Sequence, residues 1–162
     1  MMHYDIFEVD RGDLAGCAEV IRAGFATVAE AFGLTEENCP TNGAFIRLEH
    51  LQAHRLRGDL MYGLSRGGRM IGFMQLEKQD ERTWELEKLT VLPQVRRRGY
   101  GKILLDFAKE QVIALGGSVL TVGIIEENTW LKNWYLRHGF IHTGTRSFDH
   151  LPFVVGFMRW SK

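Results

Sequence analysis

The chain lacks several features that mark particular classes of protein. Cysteine is scarce: Cys17 and Cys39 are the only two, and neither belongs to a Cys-x-x-Cys pair or a set of metal ligands. We therefore expect free, reduced thiols. No stretch approaches the roughly 20 consecutive apolar residues of a membrane span, and the first residues do not combine a basic region with an apolar one as a secretory signal does. These absences predict a cytoplasmic protein with no membrane partner.

No charge of one sign dominates, because 20 lysines and arginines balance 20 aspartates and glutamates. This balance, and the absence of a basic stripe interleaved with aromatic residues, disfavours nucleic acid as the partner. No repeat, low-complexity tract or linker rich in proline and serine divides the chain. Residues 1–162 are therefore predicted to form a single domain, of a size at which roughly 70% of the surface is buried on folding.

Hydrophobic periodicity and turn residues predict a succession of strands and helices. Gly67 and Gly68 join two strands as a hairpin, and Asp13 is a candidate N-cap for the first helix. The predicted elements are strand 4–9, helix 13–32, helix 44–57, strands 60–65 and 70–77, a strand reaching 92, a helix opening at Gly99, strand 119–125, helix 129–138, and strands 140–145 and 154–160. The order β-α-α-β-β-β-α-β-α-β-β places the chain in the mixed α/β class.

The most informative stretch covers residues 89–105, where a strand turns through a glycine loop into a helix. Gly99 and Gly101 lie at the start of that helix, where glycine lets free backbone N–H groups converge and the helix dipole adds a partial positive charge. Four cationic side chains surround this point: Arg96, Arg97, Arg98 and Lys102. The loop therefore predicts a site for a ligand with several negative charges.

Other interpretations of this loop are weaker. The spacing of a P-loop is absent, and the third glycine of a dinucleotide-binding fingerprint is missing. A solvated turn would also explain two glycines among arginines, and a phosphate-binding or RNA-binding loop remains an alternative.

Two motifs in the same order resemble the GCN5-related N-acetyltransferases. Arg96-Arg-Arg-Gly99-Tyr-Gly101 is similar to that family's acetyl-CoA loop, Gln/Arg-x-x-Gly-x-Gly/Ala. Asn128-x-x-Leu131-x-x-Trp134-Tyr135-x-x-x-Gly139-Phe140 is similar to its Asn-x-x-Ala-x-x-Leu-Tyr-x-x-x-Gly-Phe helix, with Leu131 and Trp134 in place of small and aliphatic residues. The resemblance covers residues 82–140 and implies a twisted mixed sheet with helices on both faces and acetyl-CoA as co-substrate.

The alternation of a strand separates the residues before this loop into two faces. One face carries Glu85, Glu87, Leu89 and Val91, and the other Trp84, Leu86, Lys88 and Thr90. The two carboxylates would lie roughly 6.5 Å apart, so mutual repulsion and desolvation would raise their pKa values. Such a pKa suits a general base that deprotonates an ammonium acceptor, and the resemblance points to Glu85 and Glu87. Alternatively, either one faces solvent or pairs with a lysine or arginine.

The resemblance also implies roles for residues that the chemistry alone does not single out. Tyr135 would protonate the departing CoA thiolate, although a tyrosine packed at a helix–sheet junction is the alternative. Asn128 would bond the pantetheine arm or cap the following helix. Leu89 and Val91 would pair with pantetheine through their main chain, where a backbone N–H could polarise the thioester carbonyl. The loop from Arg96 to Lys102, with Tyr100 between its glycines, would hold the phosphates.

The implied reaction is direct transfer of an acetyl group to a primary amine in a ternary complex. No cysteine lies in the motif strand or loop, which leaves a covalent acyl-cysteine route without support. A non-catalytic module that binds or senses acyl-CoA is the main alternative, and a basic-loop phosphate or RNA binder is a weaker one. We predict no metal, because His50 and His54 lack the glutamate of an H-E-x-x-H motif and a third ligand.

The sequence does not decide whether the acceptor is a small-molecule amine or a peptide amine. Four glutamates hint at a charge balance that favours amines: Glu30, Glu36, Glu37 and Glu49. The sequence also does not decide whether the protein forms a homodimer, since the apolar segment 151–160 could pair across subunits or complete one sheet.

Overall fold

The computed structural model describes residues 3–162, and the elements follow the predicted order. The strands are β1 (Asp5–Glu8), β2 (Leu60–Arg66), β3 (Arg69–Lys78), β4 (Thr83–Val91), β5 (Val119–Ile125), β6 (Ile141–Ser147) and β7 (Val154–Ser161). The α-helices are α1 (Leu14–Phe32), α2 (Leu48–Leu56), α3 (Tyr100–Ala114) and α4 (Thr129–Arg137). None of the helices formed by residues 3–162 combines the length and the apolar character needed to cross a bilayer.

Two predicted helix starts are wrong in detail. Asp13 precedes α1, but its side chain accepts from the N–H of Asp10 at 3.0 Å, within the capping box of a short 3-10 turn, and does not cap α1. The second helix begins at Leu48 rather than at residue 44. Its first predicted turn is a 3-10 turn over Gly43–Phe45, after which the extended backbone of Arg47 interrupts helical hydrogen bonding.

The strands form one sheet in the order β1-β2-β3-β4-β5-β7-β6. Neighbours are antiparallel except for β4 and β5, which are parallel. Adjacent strand residues point to opposite faces: Thr90 meets Gly24 of α1, while Gly72, the cross-strand partner of Val91, faces Leu104 of α3. The helices α1 and α3 therefore cover opposite faces, as predicted, and the main apolar core fills the space on both sides of the sheet.

The strands β4 and β5 stay together for only three residue pairs. Their pairing covers residues 83–85 and 119–121, and beyond these residues the two strands separate. A β-bulge follows on β4, where Lys88 has a left-handed backbone (φ 55°) and the register with β3 shifts between Phe73 and Gln75. A bulge adds one residue and turns the chain, so the strict alternation of faces ends there. Lys88 consequently points to the same side as Glu87, with 3.2 Å between its Nζ and Glu87 Oε2, which corrects the predicted faces.

We predict that Gly24→Ala destabilises the fold by about 1–3 kcal/mol, the usual cost of overpacking a core. A Cβ at this position would overlap Thr90 Oγ1 and lie 3.0 Å from Thr90 Cβ. Gly16→Ala on the same helix is the matched control, because its nearest neighbour would be Met70 Cε at 3.8 Å.

Urea unfolding measures both variants. The control should be neutral or more stable by up to about 1 kcal/mol, since alanine is the better helix former. Thr90→Ala should restore much of the stability lost in Gly24→Ala, and equal destabilisation by both glycine substitutions would contradict the close contact of α1 with β4.

Candidate active site

A cavity of about 880 Å³ opens where β4 and β5 separate. Its walls come from α1, residues 41–43, β4, the loop before α3, β5, α4 and the connection between β6 and β7. The cavity brings together nearly all the predicted site residues: Glu85, Glu87, Leu89, Val91, Arg96, Arg97, Gly99, Tyr100, Gly101, Lys102, Asn128 and Tyr135. Arg98 is exposed and lies outside this lining, so the structure gives its side chain no place in the site.

The start of α3 forms one end of the cavity. Gly99 precedes the helix with φ 86°, a conformation that favours glycine, and no side chain caps the first turn. The N–H groups of that turn therefore have no acceptor within the helix. Gly101 lies against α4, because a Cβ there would be 3.4 Å from the Trp134 ring. The Tyr100 side chain is buried in the core, which leaves its main chain to face a ligand.

Arg96 has a different role from the one its sequence position suggests. Its guanidinium donates to the Gly24 carbonyl (2.7 Å), Thr27 Oγ1 (2.9 Å) and the Val91 carbonyl (3.2 Å). These bonds connect the loop to α1 and β4 and use three of the five N–H donors of the guanidinium. Lys102 forms an exposed ion pair with Asp106 at 2.6 Å.

The Glu87 carboxylate lies at the centre of a set of polar side chains between β3, β4 and the end of α2. Lys88 Nζ donates to Glu87 Oε2 at 3.2 Å and Gln75 Nε2 donates at 3.3 Å, while a guanidinium nitrogen of Arg57 lies 3.8 Å away. Arg57 also holds Asp59 through two bonds of 2.7 and 3.0 Å. We call this set the charge network: His54, Arg57, Asp59, Gln75, Glu77, Glu85, Glu87 and Lys88.

Hydrogen bonding between carboxyl groups and desolvation determine how the charge network binds protons. One carboxylate oxygen each of Glu77, Glu85 and Glu87 lie within 4.8 Å of one another. A side-chain hydrogen bond with Glu87, with added desolvation, raises the pKa of Glu77 to about 7. Desolvation acts to raise the pKa of Glu87 as well, but the hydrogen bond from Glu77 and the charge of Lys88 lower it overall. Desolvation, followed by the Glu87 charge, raises the pKa of Glu85.

Sequence reasoning found Glu85 and Glu87 but missed the rest of the charge network. One signal was available, because β3 and β4 form a hairpin in which Glu77 pairs with Glu85 and Gln75 pairs with Glu87. The contributions of His54, Arg57 and Asp59 depend on how α2 packs, which no local pattern shows. Two sets have the spacing of metal ligands, His54 with Asp59 and Glu87, and Glu77 with Glu85 and Glu87. Arg57 and Lys88 already supply cations to these carboxylates.

Tyr135 and Asn128 close the cavity from α4. The Tyr135 ring is buried edge-on against Trp134 and Phe140, each 5.0 Å away between ring centres. Burial raises the pKa of its phenol, which keeps the hydroxyl protonated at neutral pH. Asn128 Oδ1 accepts from the N–H of Leu131 at 3.2 Å and caps α4, as one of the two predicted roles requires.

The other end of the cavity is mostly apolar. Its lining side chains include Phe25 and Val28 on α1, Cys39, and Leu151 and Phe153 between β6 and β7. Both cysteines of the chain are free and buried, which confirms the predicted thiols. The four glutamates expected to favour an amine are all exposed and lie outside the cavity lining: Glu30, Glu36, Glu37 and Glu49.

Known proteins share both the sequence pattern and this architecture. A sequence model of the acetyltransferase (GNAT) family matches residues 25–140 of the chain. The protein belongs to the GNAT family. The match confirms the family resemblance carried by the two motifs, and it includes β4, the loop, α3 and α4.

Individual GNAT proteins support the same assignment. An uncharacterised N-acetyltransferase in the pepI 3′ region of Lactobacillus delbrueckii subsp. lactis is 29% identical over 164 residues, which cover 93% of this chain and 89% of the relative. The ribosomal-protein-S18-alanine N-acetyltransferase of Escherichia coli has the same fold, with a TM-score of 0.78 at 15% identity over 98% of this chain and 94% of that one. PaiA N-acetyltransferase from Thermoplasma acidophilum, solved in complex with coenzyme A, has a TM-score of 0.76 at 18% identity. The match covers 99% of this chain and 100% of that one. The mixed sheet with its flanking helices is therefore the GNAT fold.

We predict that Glu77 makes stability fall as the pH rises from about 4.5, its ordinary pKa, to about 7. Its folded pKa is raised, so the folded chain binds the proton more tightly than the unfolded chain, and this stabilisation is lost as the pH passes through the folded pKa. The lowered pKa of His54 acts in the opposite direction. The difference in Tm between wild type and Glu77→Gln separates the two effects, and wild type should lose Tm relative to the variant between pH 5 and pH 8.

Glu81→Gln is the matched control, because the Glu81 side chain is 95% exposed. Its Tm difference from wild type should stay constant over the same range. A constant difference for Glu77→Gln as well would show that Glu77 does not share a proton with Glu87.

Proposed function

We propose that this GNAT protein is an acetyl-CoA-dependent N-acetyltransferase that modifies a primary amine by direct transfer in a ternary complex. The observation that carries the proposal is the single cavity that joins an uncapped helix start, the free edge of β4, two glutamates and a buried tyrosine. Each of these features matches one need of the reaction, and GNAT neighbours that contain coenzyme A share the fold.

The cofactor end of the cavity fits a long polyanionic thioester. The N–H groups at the start of α3 would donate to the pyrophosphate oxygens, and Arg97 and Lys102 would add positive charge from the lining. The pantetheine amides would lie along β4 at Leu89 and Val91, where β5 no longer pairs with that strand. The Val91 carbonyl already accepts from Arg96, so Leu89 is the stronger candidate for a main-chain partner.

Glu87 is our candidate for the group that binds the acceptor ammonium and takes its proton. It lines the cavity next to the bulge, and its lowered pKa keeps it ionised so that it can bind an ammonium. A base of low pKa holds a proton weakly, but Glu77 lies within 4.8 Å with a pKa of about 7. Near its pKa, a fraction of Glu77 is ionised and can accept a proton. Glu87 would take the proton from the ammonium and pass it to this ionised Glu77, from which it would reach solvent.

The remaining residues would assist the formation of the C–N bond and the cleavage of the C–S bond. Bound acetyl-CoA supplies an activated acetyl group, and a C–N bond to the acceptor replaces the C–S bond of the thioester. The N–H of Leu89, beside the bulge, would stabilise the negative charge that develops on the carbonyl oxygen. Tyr135 would donate its phenolic proton to the departing sulfur and recover one afterwards. The net products are the acetamide, the CoA thiol and one proton, which comes from the ammonium.

An RNA-binding role has less support. Arg96 is engaged by protein acceptors and Lys102 by Asp106, which leaves a short basic surface for a nucleic acid backbone.

We expect saturating acetyl-CoA to raise the Tm of the protein, because a ligand at about 100 times its Kd adds roughly 2.7 kcal/mol to stability. Reversal of both lining cations in Arg97→Glu/Lys102→Glu should weaken binding at least about tenfold, since a hydrogen bond to a charged group contributes about 1.5–3 kcal/mol. Calorimetric titration measures the affinity. Arg98→Glu reverses one charge outside the lining and should cost much less than Arg97→Glu alone. A Tm shift with RNA but not with acetyl-CoA would contradict the proposal.

We expect Glu87→Gln to lower kcat at least about 100-fold while the affinity for acetyl-CoA is unchanged, because general-base catalysis contributes about 10²–10⁴-fold. Tyr135→Phe should likewise lower kcat with little effect on KM. Release of the CoA thiol in the presence of an amine measures both. Tyr62→Phe is the control for a buried tyrosine outside the cavity. A larger loss in Glu85→Gln than in Glu87→Gln would transfer the role to Glu85, and full activity in both variants would show that neither glutamate is the base.

A further inference from the structure

We infer that the acceptor is a primary monoamine with an apolar, aromatic body. This inference rests on the proposed acetyl transfer and concerns the part of the cavity that the cofactor would leave free. The alternatives it excludes are polyamines, aminoglycosides and free amino acids.

Apolar side chains surround the acceptor end from two sides. Phe25 and Val28 lie one helical turn apart on α1, and Leu151 and Phe153 project from the connection between β6 and β7. Val28, Leu151 and Phe153 pack against a second apolar cluster, separate from the main core, that contains Cys39. These side chains are partly exposed although they belong to apolar clusters, so a ligand with an apolar surface would complete their burial.

The position of Phe25 depends on a missing side chain. A Cβ at Gly43 would lie 2.6 Å from the Phe25 ring, so only glycine allows the ring its place against this segment. Gly43 itself lines the cavity beside the ring. The acceptor end therefore has a flat aromatic wall, which favours an aromatic group by edge or offset stacking.

The charges of the cavity match one ammonium group. Its charged lining residues are Glu85, Glu87, Lys88, Arg96, Arg97 and Lys102. Arg96, Arg97 and Lys102 lie in or directly after the loop before α3, at the cofactor end, so the acceptor would meet two carboxylates and the ammonium of Lys88. Lys88 Nζ is 3.2 Å from Glu87 Oε2, so the two carboxylates and this ammonium together carry a net charge of −1, which matches one ammonium.

This arrangement discriminates among amines. A second ammonium, as in a polyamine, would face apolar walls without a counter-ion, and burial of an unpaired charge is costly. The carboxylate of a free amino acid would approach Glu85 and Glu87 while Lys88 is already engaged. The many hydroxyls of an aminoglycoside would find few partners among the apolar side chains of this end, where Thr41 and Asn42 are polar and the Asn42 oxygen already accepts from the N–H of Ala44. A monoamine with an apolar body meets none of these costs.

Initial rates of thiol release with a panel of amines test the inference. We expect kcat/KM for 2-phenylethylamine to exceed that for spermidine and for phenylalanine at least about tenfold, the scale on which apolar pockets discriminate. The N-terminally free tripeptide amide Phe-Ala-Ala-NH₂ carries the same ammonium and ring, and its comparison with 2-phenylethylamine distinguishes a peptide from a small-molecule source. A higher kcat/KM for spermidine, for a zwitterionic amine such as phenylalanine or for a polyhydroxylated amine than for 2-phenylethylamine would overturn the inference.

A Tm shift with acetyl-CoA, measured on the same preparation, separates the two levels of failure. If acetyl-CoA binds and spermidine is acetylated best, the proposed function stands and the acceptor class is wrong. If acetyl-CoA binds and no amine in the panel reacts, the acceptor class is overturned. If acetyl-CoA does not bind, the proposed function itself fails.

Substitutions at Val28 test the charge argument directly. Val28→Asp adds a carboxylate to the apolar wall and should raise the ratio of kcat/KM for spermidine over 2-phenylethylamine at least about tenfold, because the second ammonium gains a partner. Val28→Leu keeps the wall apolar and should leave the ratio unchanged. Leu56→Asp, at a side chain that is 88% exposed and outside the cavity, is the charge control. An unchanged ratio in a folded Val28→Asp that still binds acetyl-CoA would show that α1 does not form the acceptor wall.

Discussion

The separation of β4 from β5 is the constraint on which the rest of the site depends. Two parallel strands that stayed paired would satisfy each other's main chain, leaving neither a free edge nor a space between them. Here the pairing stops after Glu85, and the bulge at Lys88 turns β4 away from the regular pleat. The same separation places the start of α3, the edge of β4 and Tyr135 around one cavity. The cavity that we propose as the binding site therefore lies where the pairing of the two strands stops.

The charge network shows how the fold accommodates several carboxylates in little space. Asp59 is buried and held by Arg57, whereas Glu77 and Glu87 are close enough that one retains a proton near neutral pH. Such a group of like charges disfavours folding, and the cations of Arg57 and Lys88 offset only part of the repulsion. The arrangement is consistent with a site in which one carboxylate stays ionised while its neighbour accepts a proton. Stability and proton transfer are linked here through the same hydrogen bonds.

Arg96 illustrates how one sequence pattern can serve two purposes. Three consecutive arginines beside a glycine loop suggest three ligands for a phosphate. The structure instead gives each a different environment: Arg96 binds α1 and β4, Arg97 lines the cavity, and Arg98 is exposed outside it. Because Arg96 joins the loop to both elements, it positions the start of α3 relative to the edge of β4. In our proposal, the main-chain amides at the start of α3, rather than a cluster of arginines, would hold the anion.

Local patterns were enough to predict the order of the elements, the hairpin at Gly67 and Gly68 and the family, because these features rest on local periodicity, on glycine conformations and on two contiguous motifs. It also placed Glu85 and Glu87 on one face, since the alternation of a strand is a local property. Only the tertiary structure decided the side on which Lys88 lies, because the bulge depends on register with β3. The same holds for the partners of Arg96, for the close approach of the Glu77 and Glu87 carboxylates and for the apolar wall of Phe25 and Phe153, which come from residues far apart in the chain. Their contacts depend on packing between elements, and no local pattern encodes that packing.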